Sequence, residues 1–150
     1  MKQEPTQIRD PIHGYIYVSE LERKIIDSAI FQRLRRIRQL ACAHLIYPGA
    51  HHTRFEHCIG TMHLAKIAST HLHSQGKMNK EQCKQLNAAA LLHDIGHGPF
   101  SHLFEEVLAE RGITHENITT RIIRETEISD ILKEYGVDPI KFSELCVGLS

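Results

Sequence analysis

The sequence has no excess of charge of either sign, because 18 Lys and Arg residues balance 18 Asp and Glu residues. No global field therefore draws the chain to nucleic acid or to a membrane surface, and a small anionic ligand requires a local cluster of charge. Aromatic residues are few as well, at 6%. The small basic stretch from Arg33 to Arg38 is the one feature that favours nucleic acid, and we expect no such partner.

Long hydrophobic runs are missing. No stretch approaches the roughly 18 apolar residues of a transmembrane helix, and the first five residues lack the apolar part of a signal peptide. The four cysteines, at positions 42, 58, 83 and 146, are scattered and form no Cys-x-x-Cys pair. This spacing argues against a structural zinc site and against a disulfide framework, so we expect a cytoplasmic protein without a membrane partner.

Histidine, by contrast, is abundant, with 12 copies in 150 residues. Its side chain is the commonest metal ligand and titrates near neutral pH. The placement of the histidines is therefore the main guide to function.

Helical periodicity runs through most of the chain. Capping boxes at Ser19 and Thr53, a cap at Asn79 and the pair Asp138-Pro139 each predict the start of a helix. Apolar spacing predicts two helices or one bent helix over 21–40, and further helices at 55–74, 100–110, 114–124 and 128–135. Residues 8–18 alternate loosely around a turn, which predicts a short extended segment. We expect one mostly helical domain.

The segment 88–94 joins an apolar helix end to two polar residues. Three alanines and two leucines predict burial, yet His93 and Asp94 follow at once, and both are costly to bury unless paired or bound to a cation. Adjacent helical residues point about 100° apart, so both reach one ion only where the backbone changes course. Gly96 and Gly98 supply that freedom.

A neutral imidazole and a carboxylate suit zinc, iron, manganese and similar ions. His57, in the first turn of a predicted helix, is the best third ligand, and the nearby Arg54 is suited to a phosphate oxygen. The alternative is that the His-Asp pair is a helix cap or a surface pair and that His57 is structural. These residues alone leave both readings open.

Five motifs in order resemble one family: DPIHG at 10–14, FQRLR at 31–35, YPGA at 47–50, RFEH at 54–57 and HDIGHGPFSH at 93–102. Together they are similar to the HD superfamily, in its branch of deoxynucleoside triphosphate (dNTP) triphosphohydrolases, over residues from about 8 to 118. The resemblance implies an all-α HD-domain bundle. It also implies hydrolysis of a dNTP to the deoxynucleoside and inorganic triphosphate, with a divalent ion (Mn, Fe, Mg, Zn or Ni) as cofactor.

The resemblance also implies roles for matching histidines and one aspartate. His57, His93 and Asp94 would be the metal ligands. Asp94, His102 and His115 would be catalytic, with one of the two histidines as general acid to the leaving oxygen. For His115, a surface position at a helix start is the alternative.

Contacts to nucleotide follow from the same resemblance. Arg54 and His97 would hold phosphate, and Gln39 and Leu40 would hold the deoxyribose. Three further residues match the site of an activating guanine nucleotide in regulated family members: Asp27, Gln32 and Arg35. Arg9 stands where those members often have asparagine, which weighs against nucleotide activation.

The C-terminal part of the family pattern has no match. The family's final aspartate ligand lies well beyond the His-Asp pair, and neither Asp130 nor Asp138 has its sequence surroundings. We therefore expect residues 1–150 to be the N-terminal part of a single HD domain, with weak or no activity in isolation. In the complete protein we expect a homo-oligomer.

Two other functions remain open. One is an HD phosphodiesterase or nucleotidase, which could hold a second ion through extra histidines such as His115. The other is a non-catalytic module for nucleotide binding or oligomerisation.

Overall fold

The computed structural model describes residues 6–100 and 102–148, and of His102 the backbone alone. The chain begins with an antiparallel hairpin of β1 (Gln7–Asp10) and β2 (Gly14–Tyr17), in which Ile8 lies opposite Ile16. The carboxylate of Asp10 accepts the backbone N–H groups of Ile12 and His13, each at 2.8 Å, and so closes the turn. The predicted extended segment is thus confirmed.

Two short helices follow the hairpin. α1 (Glu20–Asp27) begins at the predicted capping box of Ser19, and α2 (Ala29–Gln32) leads into a 3-10 turn at Arg33–Arg36. The prediction of helix as far as residue 40 is wrong. After the 3-10 turn the backbone is extended, because Arg38 pairs with Thr53 and the carbonyl of Ile37 accepts the N–H of Arg54 at 2.8 Å.

Two longer helices form the centre of the fold. α3 (Arg54–Ser74) and α4 (Lys80–Leu92) begin at capping boxes on Thr53 and Asn79, as predicted, and pack against each other. Ser69 of α3 donates a buried hydrogen bond of 3.0 Å to Asn87 of α4, and the Cys83 thiol donates to the carbonyl of Ser69 at 3.4 Å. The packing brings the start of α3 beside the end of α4, where His57 and His93 are in contact.

Four shorter helices complete the described chain: α5 (His102–Ala109), α6 (His115–Glu125), α7 (Glu127–Glu134) and α8 (Pro139–Cys146). Asp138 caps α8 with Pro139 at its first position, as predicted. α5 was predicted from residue 100, but Phe100 has a left-handed φ of 62° and the helix begins at His102. α6 packs on α7 and α8, and α8 packs on α4.

The architecture confirms the predicted all-α class with one short hairpin. A single core runs through it and includes Phe31 and Leu34, Cys58 and Met62 of α3, and residues of α4, α6, α7 and α8. Glu22, buried in α1, accepts a 2.6 Å hydrogen bond from Lys66, which also donates to the carbonyl of Tyr17. Among the described residues, none of the helices has the length and apolarity to cross a bilayer.

Candidate metal and phosphate site

The three residues predicted as metal ligands meet where α3 begins and α4 ends. His57 lies in the first turn of α3, His93 is the C-cap of α4, and Asp94 follows it. The Nε2 atoms of the two histidines are 3.2 Å apart, and each lies 3.4 Å from a carboxylate oxygen of Asp94. The oxygen is Oδ2 for His57 and Oδ1 for His93, and one ligand atom from each residue lies within 4.8 Å of the others. Ligand atoms that surround one ion at about 2.1 Å are roughly 3.4 Å apart in a tetrahedral shell, so the three side chains have suitable spacing.

The histidine tautomers also suit a cation. Nδ1 of His93 is 2.8 Å from the carbonyl oxygen of Ala90, so this nitrogen carries the proton and Nε2 presents a lone pair. A backbone partner of this kind fixes the ring of a metal-ligating histidine. Two imidazole Nε2 atoms and a carboxylate at these distances therefore form a donor set that suits a divalent ion.

Electrostatics keep Asp94 and His57 in the protonation states that a metal requires. Burial alone would raise the pKa of Asp94, but the hydrogen bond from His97 and the electrostatic influence of His93 and Arg54 prevail and lower it. Burial is also the main cause that lowers the pKa of His57, and it outweighs the opposing charge of Asp94. At neutral pH the site thus offers a carboxylate and a neutral His57.

A second polar cluster lies beside the first, on α5 and α6. Oε1 of Glu105 is 2.8 Å from Nδ1 of His115 and 3.3 Å from Nδ1 of His97. The two rings stack with centroids 4.2 Å apart and planes only 15° from parallel. Lone pairs in parallel ring planes do not converge on one ion, so this geometry favours a cluster of polar side chains in close contact over a second metal site.

Asp94 connects the two clusters. Its Oδ2 accepts a 2.6 Å hydrogen bond from Arg54, and its Oδ1 lies 3.5 Å from Nε2 of His97. A cleft of about 470 Å³ opens on this point and is lined by Gln39, Leu40, Ala41, Ala43, Arg54, Asp94, His97, Phe100 and Leu103. The four residues predicted to contact substrate, Arg54, His97, Gln39 and Leu40, thus share one cleft. The buried Oε1 of Gln39 has no hydrogen-bond partner among the described residues, so a ligand hydroxyl could satisfy it.

Gly96 explains why α6 comes so close to the His-Asp loop. A Cβ on this residue would overlap the carbonyl oxygen of His115 and lie 2.5 Å from the backbone nitrogen of Thr119. The backbone N–H of Gly96 instead donates to Oγ1 of Thr119 at 3.0 Å. This contact brings His115, one helical turn before Thr119, against His97.

The three residues predicted to bind a regulatory nucleotide do not all come together. Gln32 accepts a 2.8 Å hydrogen bond from Arg35, whose guanidinium lies 3.6 Å from the ring centroid of Phe55. Asp27 pairs with Arg23 on the exposed side of α1, at 3.2 Å. The structure therefore brings Gln32 and Arg35 into contact and gives Asp27 a different partner.

Three residues of the site were not predicted from the sequence: Arg33, Glu105 and Thr119. Glu105 had a usable signal, because it follows His102 by three positions and such residues share a helix face. Arg33 and Thr119 had none, since their partners are 62 and 23 residues away. The side chain of His102, predicted as catalytic, lies outside the described residues.

Comparison with known proteins supports the family assignment. The HD domain family matches residues 54–143. The chain is 44% identical over 117 residues to the protein MJ1154 of Methanocaldococcus jannaschii, covering 74% of this chain and 24% of that protein. It is 38% identical over 144 residues to bovine deoxynucleoside triphosphate triphosphohydrolase SAMHD1, covering 88% of this chain and 24% of that enzyme.

A solved structure agrees in fold. The crystal structure of a hypothetical protein from Aquifex aeolicus is 39% identical and superposes with a TM-score of 0.83, covering 97% of this chain and 38% of that one. The chain spans about a quarter of the length of these curated relatives. It belongs to the HD-domain superfamily, and its similarity to bovine SAMHD1 agrees with the branch that the sequence motifs predict. The predicted family is thus confirmed.

Proposed function

We propose that this chain carries the metal and phosphate site of a phosphohydrolase that converts a dNTP to the deoxynucleoside and inorganic triphosphate. The observation that carries the proposal is the contact of two clusters through Asp94. One is suited to a divalent ion, and the other offers the imidazoles of His97 and His115 to phosphate, beside the guanidinium of Arg54. Bovine SAMHD1, whose name states this activity, supports the choice of substrate.

His57, His93 and Asp94 would hold the ion, which supplies Lewis-acid chemistry toward water and phosphoryl oxygen when bound. Mn, Fe, Mg, Zn and Ni are all candidates, because imidazole and carboxylate ligands accept each of them. Arg54 and His97 face the same cleft and would neutralise phosphate oxygens. Gln39 and Leu40 at the other side of the cleft would contact the sugar.

Inorganic triphosphate is released only if water adds to the α-phosphorus and the bond from that phosphorus to the 5′ oxygen breaks. The departing oxygen then needs a proton, and a histidine is the side chain best suited to give one near neutral pH. His115 fits this role, because Oε1 of Glu105 lies 2.8 Å from its Nδ1, where a carboxylate would favour the proton on that nitrogen and leave Nε2 for exchange with a ligand. His102 is the other candidate from the family resemblance.

The first test measures metal binding and product release on the same preparation. The chain is titrated with Mn²⁺ and then assayed with each dNTP for inorganic triphosphate, alongside His93→Ala. His71→Ala, which changes an exposed histidine of α3, is the matched control. We expect the wild type and the control to bind Mn²⁺ and His93→Ala to lose at least about tenfold in affinity.

Turnover by this chain is expected to be weak, because three side chains of the described residues would hold the ion. Release of triphosphate that disappears in His93→Ala would support the whole proposal. Release of orthophosphate would indicate a nucleotidase instead, and an opened cyclic nucleotide a phosphodiesterase. Nucleotide binding that persists in chelator, without turnover, would indicate a non-catalytic binding module.

Assembly, regulation and location form the remaining part of the proposal. A homo-oligomer is expected from the family resemblance, and exposed apolar residues such as Leu45, Ile46 and Tyr47 offer a surface for it. The contact of Gln32 with Arg35 is compatible with an activating nucleotide, but Asp27 would have to leave Arg23 to join them. A cytoplasmic location suits a dNTP substrate.

A further inference from the structure

Arg33 contacts the loop that follows the predicted metal ligands. Its Nη1 donates a 2.8 Å hydrogen bond to the carbonyl oxygen of His97, and its Nη2 donates to the carbonyl oxygen of Ile95. The side chain is half-buried, and among the described residues it forms no ion pair with a carboxylate. A buried guanidinium that is committed to two backbone carbonyls holds those carbonyls in place.

The same three-residue loop is held from its other side. Between the two carbonyls lies Gly96, whose N–H donates to Oγ1 of Thr119 on α6. The carbonyls of Ile95 and His97 stand just beyond the C-terminal end of α4, where a positive charge is favourable. Arg33 therefore binds the carbonyl groups of the segment Ile95-Gly96-His97, and Thr119 binds its central N–H group. We call this segment the clamped loop.

We infer that Arg33 is a positioning residue that sets the place of His97 and His115 relative to the ion-binding residues. This inference rests on the proposed function. His93 and Asp94 precede the clamped loop, and His97 ends it. The side chain of His97 is almost fully buried between Asp94 and the ring of His115. A rotation of this loop would leave His57, His93 and Asp94 beside α3 while it moved the imidazole pair away from them.

A lysine would not replace Arg33 fully. The planar guanidinium reaches two carbonyls that are two residues apart with two different nitrogens, whereas an ammonium group is a single point of donation. We expect Arg33→Lys to retain one of the two contacts and Arg33→Ala to retain neither. The order wild type, lysine, alanine is thus a signature of the bidentate contact.

The test separates binding of metal from binding of phosphate. Mn²⁺ affinity is measured by titration, and tripolyphosphate affinity is measured on chelator-treated protein. Hydrogen exchange of the Gly96 amide reports on the clamped loop without any ligand. Arg36→Ala is the matched control, since Arg36 lies in the same 3-10 turn and is exposed. Thr119→Val, which removes the hydroxyl from the opposite side, is the second variant.

We expect Arg33→Ala to bind Mn²⁺ within about threefold of the wild type, to lose about tenfold in tripolyphosphate affinity, and to exchange the Gly96 amide about tenfold faster, as loss of hydrogen bonds to a charged donor allows. Arg33→Lys should fall between, and Thr119→Val should also speed exchange at Gly96. Arg36→Ala should change none of these values.

Unchanged tripolyphosphate affinity and unchanged exchange in Arg33→Ala would overturn the inference. Equal losses of Mn²⁺ and tripolyphosphate affinity would also overturn it, because Arg33 would then support the whole site. If the wild type itself binds no tripolyphosphate, that result contradicts the proposed function, because the site then has no affinity for the phosphate chain. Exchange at Gly96 in Arg33→Ala and Thr119→Val then still decides whether the clamp exists.

Discussion

Arg54 donates a 2.6 Å hydrogen bond from Nη1 to Oδ2 of Asp94, and the two side chains are only 4% and 13% exposed. The pair joins the first turn of α3 to the residue after the C-cap of α4, the two places that carry His57 and His93. Loss of either charge would leave the other largely out of water and without its strongest charged neighbour. The ion pair therefore holds the two helix ends at the spacing that the proposed ligand set requires.

Arg54→Met should lower the free energy of unfolding by roughly 3 kcal/mol at pH 7, because the largely buried charge of Asp94 then loses its guanidinium partner and keeps only the neighbouring imidazoles. The pKa of Asp94 is lowered in the folded wild type. Its contribution to stability is therefore present above its ordinary pKa and is lost as the pH falls through the lower folded value. In the variant the pKa of Asp94 rises, so the difference in the free energy of unfolding between the two proteins should become smaller as the pH falls.

Urea unfolding in chelator at a series of pH values measures this effect, with Arg36→Met as the exposed matched control. An Arg54→Met protein as stable as the control at pH 7 would mean that the ion pair contributes nothing net.

Metal affinity should depend on pH in a way set by His57. Burial lowers the pKa of His57 below its ordinary value of 6.5. The ring therefore stays neutral as the pH falls from 8 to about 7, and protons compete little with the ion for its nitrogen. We expect Mn²⁺ affinity to be nearly flat across that range and to fall at lower pH, where protons take the imidazole nitrogens. Calorimetric titration at several pH values checks this. A steady tenfold gain per pH unit between about 7 and 8 would contradict a lowered pKa for His57.

Gly96→Ala should destabilise the fold by roughly 3 kcal/mol, because the added methyl group would meet backbone atoms of His115 and Thr119 that cannot turn away. The helix α6 would have to shift, which separates His115 from His97. Gly49→Ala is the matched control, since a Cβ at Gly49 meets nothing within 4 Å. Thermal or urea unfolding of the two variants gives the comparison. Equal stability of both would show that α6 yields readily at this contact.

Glu105→Gln should leave the fold intact and lower any measurable triphosphate release by about tenfold to a hundredfold, because an amide orients the ring of His115 less strongly than a carboxylate. Glu106→Gln changes the neighbouring exposed residue in the same way and should have no effect. The assay compares kcat at saturating Mn²⁺ and dNTP. A normal kcat in Glu105→Gln would exclude Glu105 as the residue that positions His115.

Much of the fold could be read from local sequence. Ser19, Thr53, Asn79 and Asp138 all cap helices as predicted, because a cap depends only on the two or three residues that follow it. The predicted helix over 21–40 failed beyond Arg36 for the opposite reason. There the backbone of residues 37 and 38 forms hydrogen bonds with residues 53 and 54. Helical periodicity cannot predict such a pairing between distant parts of the chain.

The candidate site divides in the same way. The sequence by itself determined that His93 and Asp94 end a buried helix, since an apolar run followed by two ligand-type residues and a glycine loop is a local pattern. Only the tertiary structure decided that Arg33 donates hydrogen bonds to this loop and that Glu105 lies against His115. These contacts depend on how α2, α5 and α6 are placed around the end of α4. Side-chain packing between helices sets that placement, and the spacing of residues within one helix carries no record of it.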